Sequence, residues 1–442
     1  MRGALDSWHM GVVISAYRNH PFHGCALRQE IVAGWAGITQ AQLSRIENGP
    51  AIKDLDKLIQ WARTLGIPAH LLWFQLPQQR HLHSSAGVPR VAVSSPPVPL
   101  PATGSFQLVR VGGHGGHGGH GGQAASSDMA AMHTFRAADR QVGGGHLYAT
   151  VVAYLHSDVA SRLFGEDHSV EGKTVFTAAA ALTEMAGWMA HDAGRDDQAQ
   201  RHFGRALDMS QVGRDRQLSA HVLASMSHLA HHTCRPRDAI GFAHAGEHAL
   251  SGGPRNPALD AQVFAMQARG FAALHKPSET AKLLERAEKA LKQSPDEEPS
   301  PWVSHFDEGS LASEAARCMR QLGKLPQAQR HAERIIELRP ADRTRSRALG
   351  QLILVTVLIE QGQPEQACAI AQDVLDATQS LGSCLVIQQL RGLQQLFAPH
   401  STNAVVKDFL DCLGEALRQR AWLYKWITKD TRRLPANSIE VT

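Results

Sequence analysis

A triplet of small or apolar residues, spaced by four and then three positions, recurs five times in the chain and constrains its fold more than any other feature. It reads Ala199/Phe203/Ala206, Ala239/Ala243/Gly246, Thr280/Leu284/Ala287, Ala328/Ala332/Ile335 and Ala367/Ala371/Val374, at offsets of 40, 41, 48 and 39 residues. Positions three and four apart share one face of an α-helix. Twelve residues before each triplet stands a slim residue on a preceding helical pattern: Gly187, Ser227, Ala268, Ala316 and Val355. Between the two lie turn breakers: Gly194, Pro236, Pro277, Gly323 with Pro326, and Gly362 with Pro364. Slim residues let two helices approach closely, and Gly or Pro ends the first of them. Such a period predicts an α-solenoid of stacked helical hairpins. The one long interval falls at residues 294–301, Ser-Pro-Asp-Glu-Glu-Pro-Ser-Pro, which reads as an exposed loop. Residues 404–426, with Val405, Phe409, Leu413, Leu417 and Leu423 on one stripe, read as a helix capping the last repeat.

The remaining sequence divides by texture, and no segment shows the alternation of a β-strand, so the expected class is all-α. Residues 9–76 carry short helical patterns. Residues 77–127 crowd prolines and glycines and end in three Gly-Gly-His units, with His114, His117 and His120. Such a stretch has little to bury and much backbone entropy to lose, so a flexible linker is expected there. Residues 128–427 hold the helical repeats, and 428–442 read as a disordered tail. Of the 45 Lys/Arg and 41 Asp/Glu, residues 1–127 hold ten and five, so the basic excess sits at the N-terminal end, where a polyanion would bind. The six cysteines show no C-x-x-C spacing, which fits reduced thiols in a cytoplasm rather than a disulfide framework. No apolar leader opens the chain, and the run Leu352–Ile359 is too short to span a membrane.

The sharpest chemical signal lies in residues 29–49. Ile31, Val32 and Trp35 set an apolar stripe on one short helix, Gly37 permits a tight turn, Ile38 plugs the angle and Thr39 is a good N-cap. Leu43 and Ile46 anchor a second helix, which Asn48-Gly49 ends. With Leu43 and Ile46 inward, Ala41, Ser44, Arg45 and Asn48 turn to the opposite face, and Gln40 lies beside them at the exposed first turn. Polar side chains at the front of a protruding helix suit base edges in a major groove.

This segment closely resembles the phage-repressor-like (XRE) helix-turn-helix, whose pattern of Gln, apolar-Ala, Gly-[Ile/Val]-[Ser/Thr] and apolar-Ser-x-Ile-Glu-x-Gly it meets throughout. The resemblance implies a five-helix domain, with residues 54–65 and 68–73 as its fourth and fifth helices. It implies double-stranded operator DNA as partner, with Gln29 on phosphate and the recognition set Thr39, Gln40, Ala41, Gln42, Ser44, Arg45 and Asn48. It also implies an ion pair from Glu47 to Arg18, although His20–Cys25 lengthens the link between the first two helices. The repeats resemble divergent tetratricopeptide units over roughly 170–390, with a longer period than usual. The whole layout, including residues 135–148, resembles actinobacterial transcription regulators. In related regulators the repeats bind a peptide or protein and drive homodimerisation, and both are expected here by that likeness alone.

The competing class is a tetratricopeptide scaffold whose helix-turn-helix has become a docking surface without DNA. A docking surface would favour apolar or aromatic residues where this helix shows Gln40, Ser44 and Arg45. The Gly-Gly-His imidazoles could chelate zinc, nickel or copper, yet a floppy chain loses entropy to wrap a metal, so no metal or other cofactor is expected. His228, His231, His232 and Cys234 cluster at one helix end, where imidazoles are usually solvated or satisfied by carbonyls. No phosphate-binding loop, nucleophile elbow or zincin motif is present, and an enzyme is not expected.

Overall fold

The protein was analysed as a computed structural model, which describes residues 2–19, 28–64, 72–74, 120–159, 163, 170–296, 298–340 and 343–423. Among these residues every regular element is helical. The N-terminal unit holds α1 (Arg2–Leu5), α2 (Met10–Arg18), α3 (Gln29–Trp35), α4 (Gln40–Asn48) and α5 (Leu55–Thr64). Met10, Val13, Ile14, Val32, Leu43, Leu58 and Trp61 are buried between them. The fifth helix expected over residues 68–73 lies mostly outside the described residues, and its described end, Leu72 and Trp73, is not helical.

The linker expected over 77–127 and the tail expected over 428–442 lie outside the described residues, with one difference. Helix α6 (His120–Val142) takes in residues 120–127, so the linker ends earlier than its composition suggests. Ala124 and Ala125 favour helix, and the buried Asp128 and Met132 that follow tie this end to the repeats. Gly143, at φ 85°, then turns the chain into α7 (Gly144–Tyr154).

The solenoid follows as hairpins. They are α8 (Val170–Asp192) with α9 (Asp196–Gly213), α10 (Arg216–His232) with α11 (Pro236–Leu250) and α12 (Pro257–Ala273) with α13 (Pro277–Leu291). Then come α14 (Glu308–Gln321) with α15 (Leu325–Leu338) and α16 (Thr344–Glu360) with α17 (Pro364–Ala377). Each recurrent triplet lies on the second helix of its hairpin and is buried, apart from a half-buried Leu284. The twelve-residue interval is the hairpin crossing. Ser227 Oγ donates to the Ala239 carbonyl at 2.8 Å, and a Cβ on Gly187 would meet the Phe203 ring at 2.5 Å.

Every hairpin turns at a left-handed residue five positions before its triplet: Gly194, Cys234, His275, Gly323 and Gly362, with φ between 53° and 76°. At each, two backbone bonds close the end of the first helix, as in Arg195 N to Ala190 O at 2.8 Å with Gly194 N to His191 O at 2.9 Å. These are Schellman caps.

The last elements are α18 (Cys384–Phe397) and α19 (Ala404–Leu423). The capping helix buries Val406, Phe409, Leu413 and Leu417, whereas Val405 points outward at 49% exposure. The expected stripe was thus off by one residue at its first turn, where 406, not 405, continues the 409/413/417 face. Arg420 is also buried here, donating to the Leu375 carbonyl at 2.9 Å. The loop after α13 is only partly the exposed excursion that its composition suggests. Ser300 donates through Oγ to Asp215 at 2.9 Å, and Trp302 enters the core.

The solenoid also closes on itself. Asp192, at the end of α8, accepts from Gly144 N at 2.8 Å, Arg345 Nη1 at 3.0 Å and Ser383 Oγ at 2.5 Å. Gly382 N donates to the Val142 carbonyl at 2.8 Å. These bonds join the entry of the repeats to α16 and α18.

Candidate nucleic-acid interface

Helix α4 is built to be rigid and outward-facing. Thr39 caps it: its hydroxyl accepts from Gln42 N at 3.3 Å, and Gln42 Oε1 accepts from Thr39 N at 2.8 Å. This reciprocal box satisfies donors that a helix start leaves open. Gly37, at φ 67°, makes the turn that aims α4 away from α3. Leu43 is buried and Ile46 half-buried, as expected; the side chains of Ile31 and Trp35 lie outside the described ones. Against α4, Gly11 of α2 lies so close that a Cβ there would sit 2.0 Å from the Ile46 carbonyl.

A chain of hydrogen bonds braces the frame. Arg18 donates to both oxygens of Glu47, at 2.6 and 3.0 Å, so this pair forms across the longer link after α2. Gln29 Nε2 donates to the same carboxylate at 2.7 Å, and Gln40 Nε2 donates to Gln29 Oε1 at 3.0 Å. A bidentate Arg–carboxylate pair is among the stronger polar contacts, and here it ties α2 to α4 and α3. His9 adds a further tie, accepting from Val12 N through Nδ1 and donating through Nε2 to the Gly49 carbonyl at 3.1 Å.

The expected recognition residues lie on one side of this frame. Thr39, Gln40, Ala41, Gln42, Arg45 and Asn48 are exposed, and Ser44 is half-buried. Their freedom differs. Gln42 spends its carbonyl on the cap, and Asn48 Nδ2 folds back to the Ser44 carbonyl at 3.0 Å. Gln29, expected on phosphate, is engaged with Glu47 and Gln40. Arg45 makes no hydrogen bond or ion pair among the described residues, which leaves its fork of donors available.

One feature was invisible in the sequence. Helix α3 lies against α9 of the first hairpin, where a Cβ on Gly34 would meet the Arg205 guanidinium at 2.2 Å, and Arg28 reaches Asp208 at 3.9 Å. Burial, followed by the charge of Arg201, lowers the pKa of Arg205. No local pattern marks Gly34 or Arg205, because the contact joins residues remote in sequence.

The histidine cluster at the end of α10 is satisfied in different ways. His231 Nε2 donates to the Met266 carbonyl at 3.1 Å, His228 Nδ1 faces Arg269 at 3.4 Å, and His232 faces Asp196 at 3.6 Å. Cys234 is exposed. His114 and His117 lie outside the described residues. No described helix is long and apolar enough to cross a membrane.

No curated protein matches the chain. The frame of α3, turn and α4, together with α5, falls within residues 29–72, and that segment matches a helix-turn-helix family model of the XRE type.

Proposed function

We propose that the protein is a sequence-specific transcriptional regulator that reads operator DNA with α4 and receives a signal, or a second copy of itself, through the repeat solenoid. The observation that carries the DNA reading is the outward face of α4, polar and exposed on a frame fixed by the Arg18–Glu47–Gln29–Gln40 chain. Pre-set donors on a rigid helix favour base readout, because little side-chain or backbone freedom is lost on binding.

The sensing half rests on a cavity of about 690 Å³ between α12 and α14, beneath the loop that lengthens this repeat. Leu259, Leu291, Val303, Phe306 and Leu311 supply an apolar wall, with His331 and Arg334 at its rim. A cavity of this size and character suits a small molecule or a short peptide side.

Selection of bound duplexes from a random library by the full chain tests the DNA reading. One enriched motif, lost on scrambling, is expected. Recovery of no motif above bulk duplex, at a fixed salt concentration, overturns it, since non-specific phosphate binding is salt-driven and sequence-blind.

A further inference from the structure

We propose that His191, Asp196 and His232 form a binding site for a borderline divalent cation of the zinc, cobalt or nickel class. The three residues come from the end of α8, the start of α9 and the end of α10, so a cation held there would staple the first hairpin to the second. Each offers one donor atom, and the three donors lie within 4.8 Å of one another. His191 Nδ1 is 2.6 Å from Asp196 Oδ1, and His232 Nε2 is 3.6 Å from Asp196 Oδ2. Metal–ligand bonds of about 2.0–2.1 Å in a tetrahedral site separate neighbouring donors by roughly 3.3 Å, so small side-chain rotations bring these atoms into place. Two imidazoles and one carboxylate suit borderline cations; calcium and magnesium take oxygen ligands instead.

His191 is buried at 1% exposure, with its Nδ1 turned to Asp196. The ring lies edge-on to His232, with centroids 4.6 Å apart, in a pocket otherwise closed by Trp188 and His228. Asp196 and His232 are only 26% and 34% exposed, which leaves an entry path and an open coordination position on the solvent side. Arg269 adds positive charge nearby, but Glu314 offsets it at 3.2 Å. The site differs from the sequence cluster of His228, His231, His232 and Cys234, because two of its three ligands come from the preceding hairpin.

The test uses the full chain with His114, His117 and His120 replaced by alanine, which removes imidazoles able to chelate on their own. Cobalt(II) is titrated and its visible d–d bands are followed, with zinc(II) added in competition. One equivalent is expected, with a rise in Tm on loading. Asp196→Asn and His232→Gln, each with an unchanged circular-dichroism spectrum, should weaken binding at least tenfold, whereas the exposed His244→Gln should not. Absence of saturable cobalt binding, or equal affinity in parent, Asp196→Asn and His232→Gln, overturns the site. No DNA enters the measurement, so its outcome is independent of the operator reading.

Discussion

Arg345 and Asp139 stand 206 positions apart and meet through two hydrogen bonds, Nη1 to Oδ1 at 2.7 Å and Nη2 to Oδ2 at 2.5 Å. The same guanidinium reaches Asp192, so one side chain of α16 holds carboxylates of both α6 and α8. Burial opposes its charge, but the two carboxylates outweigh burial and raise its pKa. Arg345→Met would leave Asp192 and Asp139 facing each other without a cation. Breaking such a pair from one side costs about 3–5 kcal/mol. Urea unfolding should show that loss. A midpoint unchanged in Arg345→Met would mean that the closure of the solenoid does not depend on this clasp.

The five hairpin turns allow a cleaner comparison. Cys234 and His275 occupy left-handed positions that glycine fills in the other three turns. A side chain there costs roughly 1–2 kcal/mol, partly offset by the extra unfolded-state freedom that glycine brings. Cys234→Gly and His275→Gly should therefore each stabilise, by up to about 1 kcal/mol. Gly323→Ala should destabilise by a similar amount; a Cβ there meets nothing within 4 Å, so only backbone strain acts. Thermal melts of the three variants decide it, and any loss of stability in both glycine variants contradicts the account.

These turns also show what the sequence disclosed. The triplets, their slim partners and the hairpin breakers were legible because they are local, periodic and tied to one helix face. The breaker pattern pointed to Pro236 and Pro277, yet the residues that turn the chain are Cys234 and His275. A left-handed non-glycine residue leaves no mark in composition. Within the helix-turn-helix unit, the buried Leu43 and exposed Arg45 followed from helical spacing, and the Arg18–Glu47 pair from the family pattern. The Arg345 clasp, the docking of Gly34 on Arg205 and the His191–Asp196 contact did not follow. The first two depend on how distant helices come together, which is set by many small packing angles along the stack, and the third on side-chain placement across the turn between α8 and α9.

Close packing inside the N-terminal unit makes two glycines diverge. Gly11→Ala would drive a methyl group into the backbone of α4 at Ile46 and should unfold the unit, with a cost of at least about 1–3 kcal/mol. Gly34→Ala meets only the far end of Arg205, which can swing aside. It should leave the unit folded and loosen α3 from α9. Limited proteolysis separates the cases. Rapid degradation of residues 2–64 is expected in Gly11→Ala alone, and equal resistance in both would refute the close approach of α2 and α4.

Acid should weaken the solenoid through its buried imidazoles. Burial, with the charge of Arg269, pushes the pKa of His231 down to about 3, and burial with Arg205 and Arg201 pushes His202 down to about 4. His228 is likewise lowered by burial and by Arg269. An unfolded histidine titrates near 6.5, so between that pH and about 4 the unfolded chain binds protons that the folded chain does not. Their contribution is fully present above pH 6.5 and is lost as pH falls, by up to about 1.4 kcal/mol per pH unit for each fully buried histidine. Unfolding free energies at pH 7, 6 and 5 should fall in that order, and His231→Gln should flatten the slope. An equal slope in His231→Gln would show that its imidazole is not held neutral.

Arg45 carries the most specific prediction for the recognition helix. Its side chain is exposed and uncommitted, whereas Gln29 is held by Glu47 and Gln40. If Arg45 reads a guanine edge, Arg45→Ala should cost about 1–3 kcal/mol on the selected site and relax preference at one base pair. Gln29→Ala should act differently: it removes the acceptor that holds Gln40, so its change in preference should map to the base nearest the start of α4. Neither substitution should unfold the unit, because neither side chain belongs to the core around Leu43 and Val32. Leu43→Asp, which places an unpaired charge in that core, should unfold it and serves as the control. All affinities must be measured at one salt concentration, since the phosphate contribution shifts steeply with ionic strength. Unchanged affinity of a folded Arg45→Ala for both the selected and random duplexes would remove base reading from this face of α4.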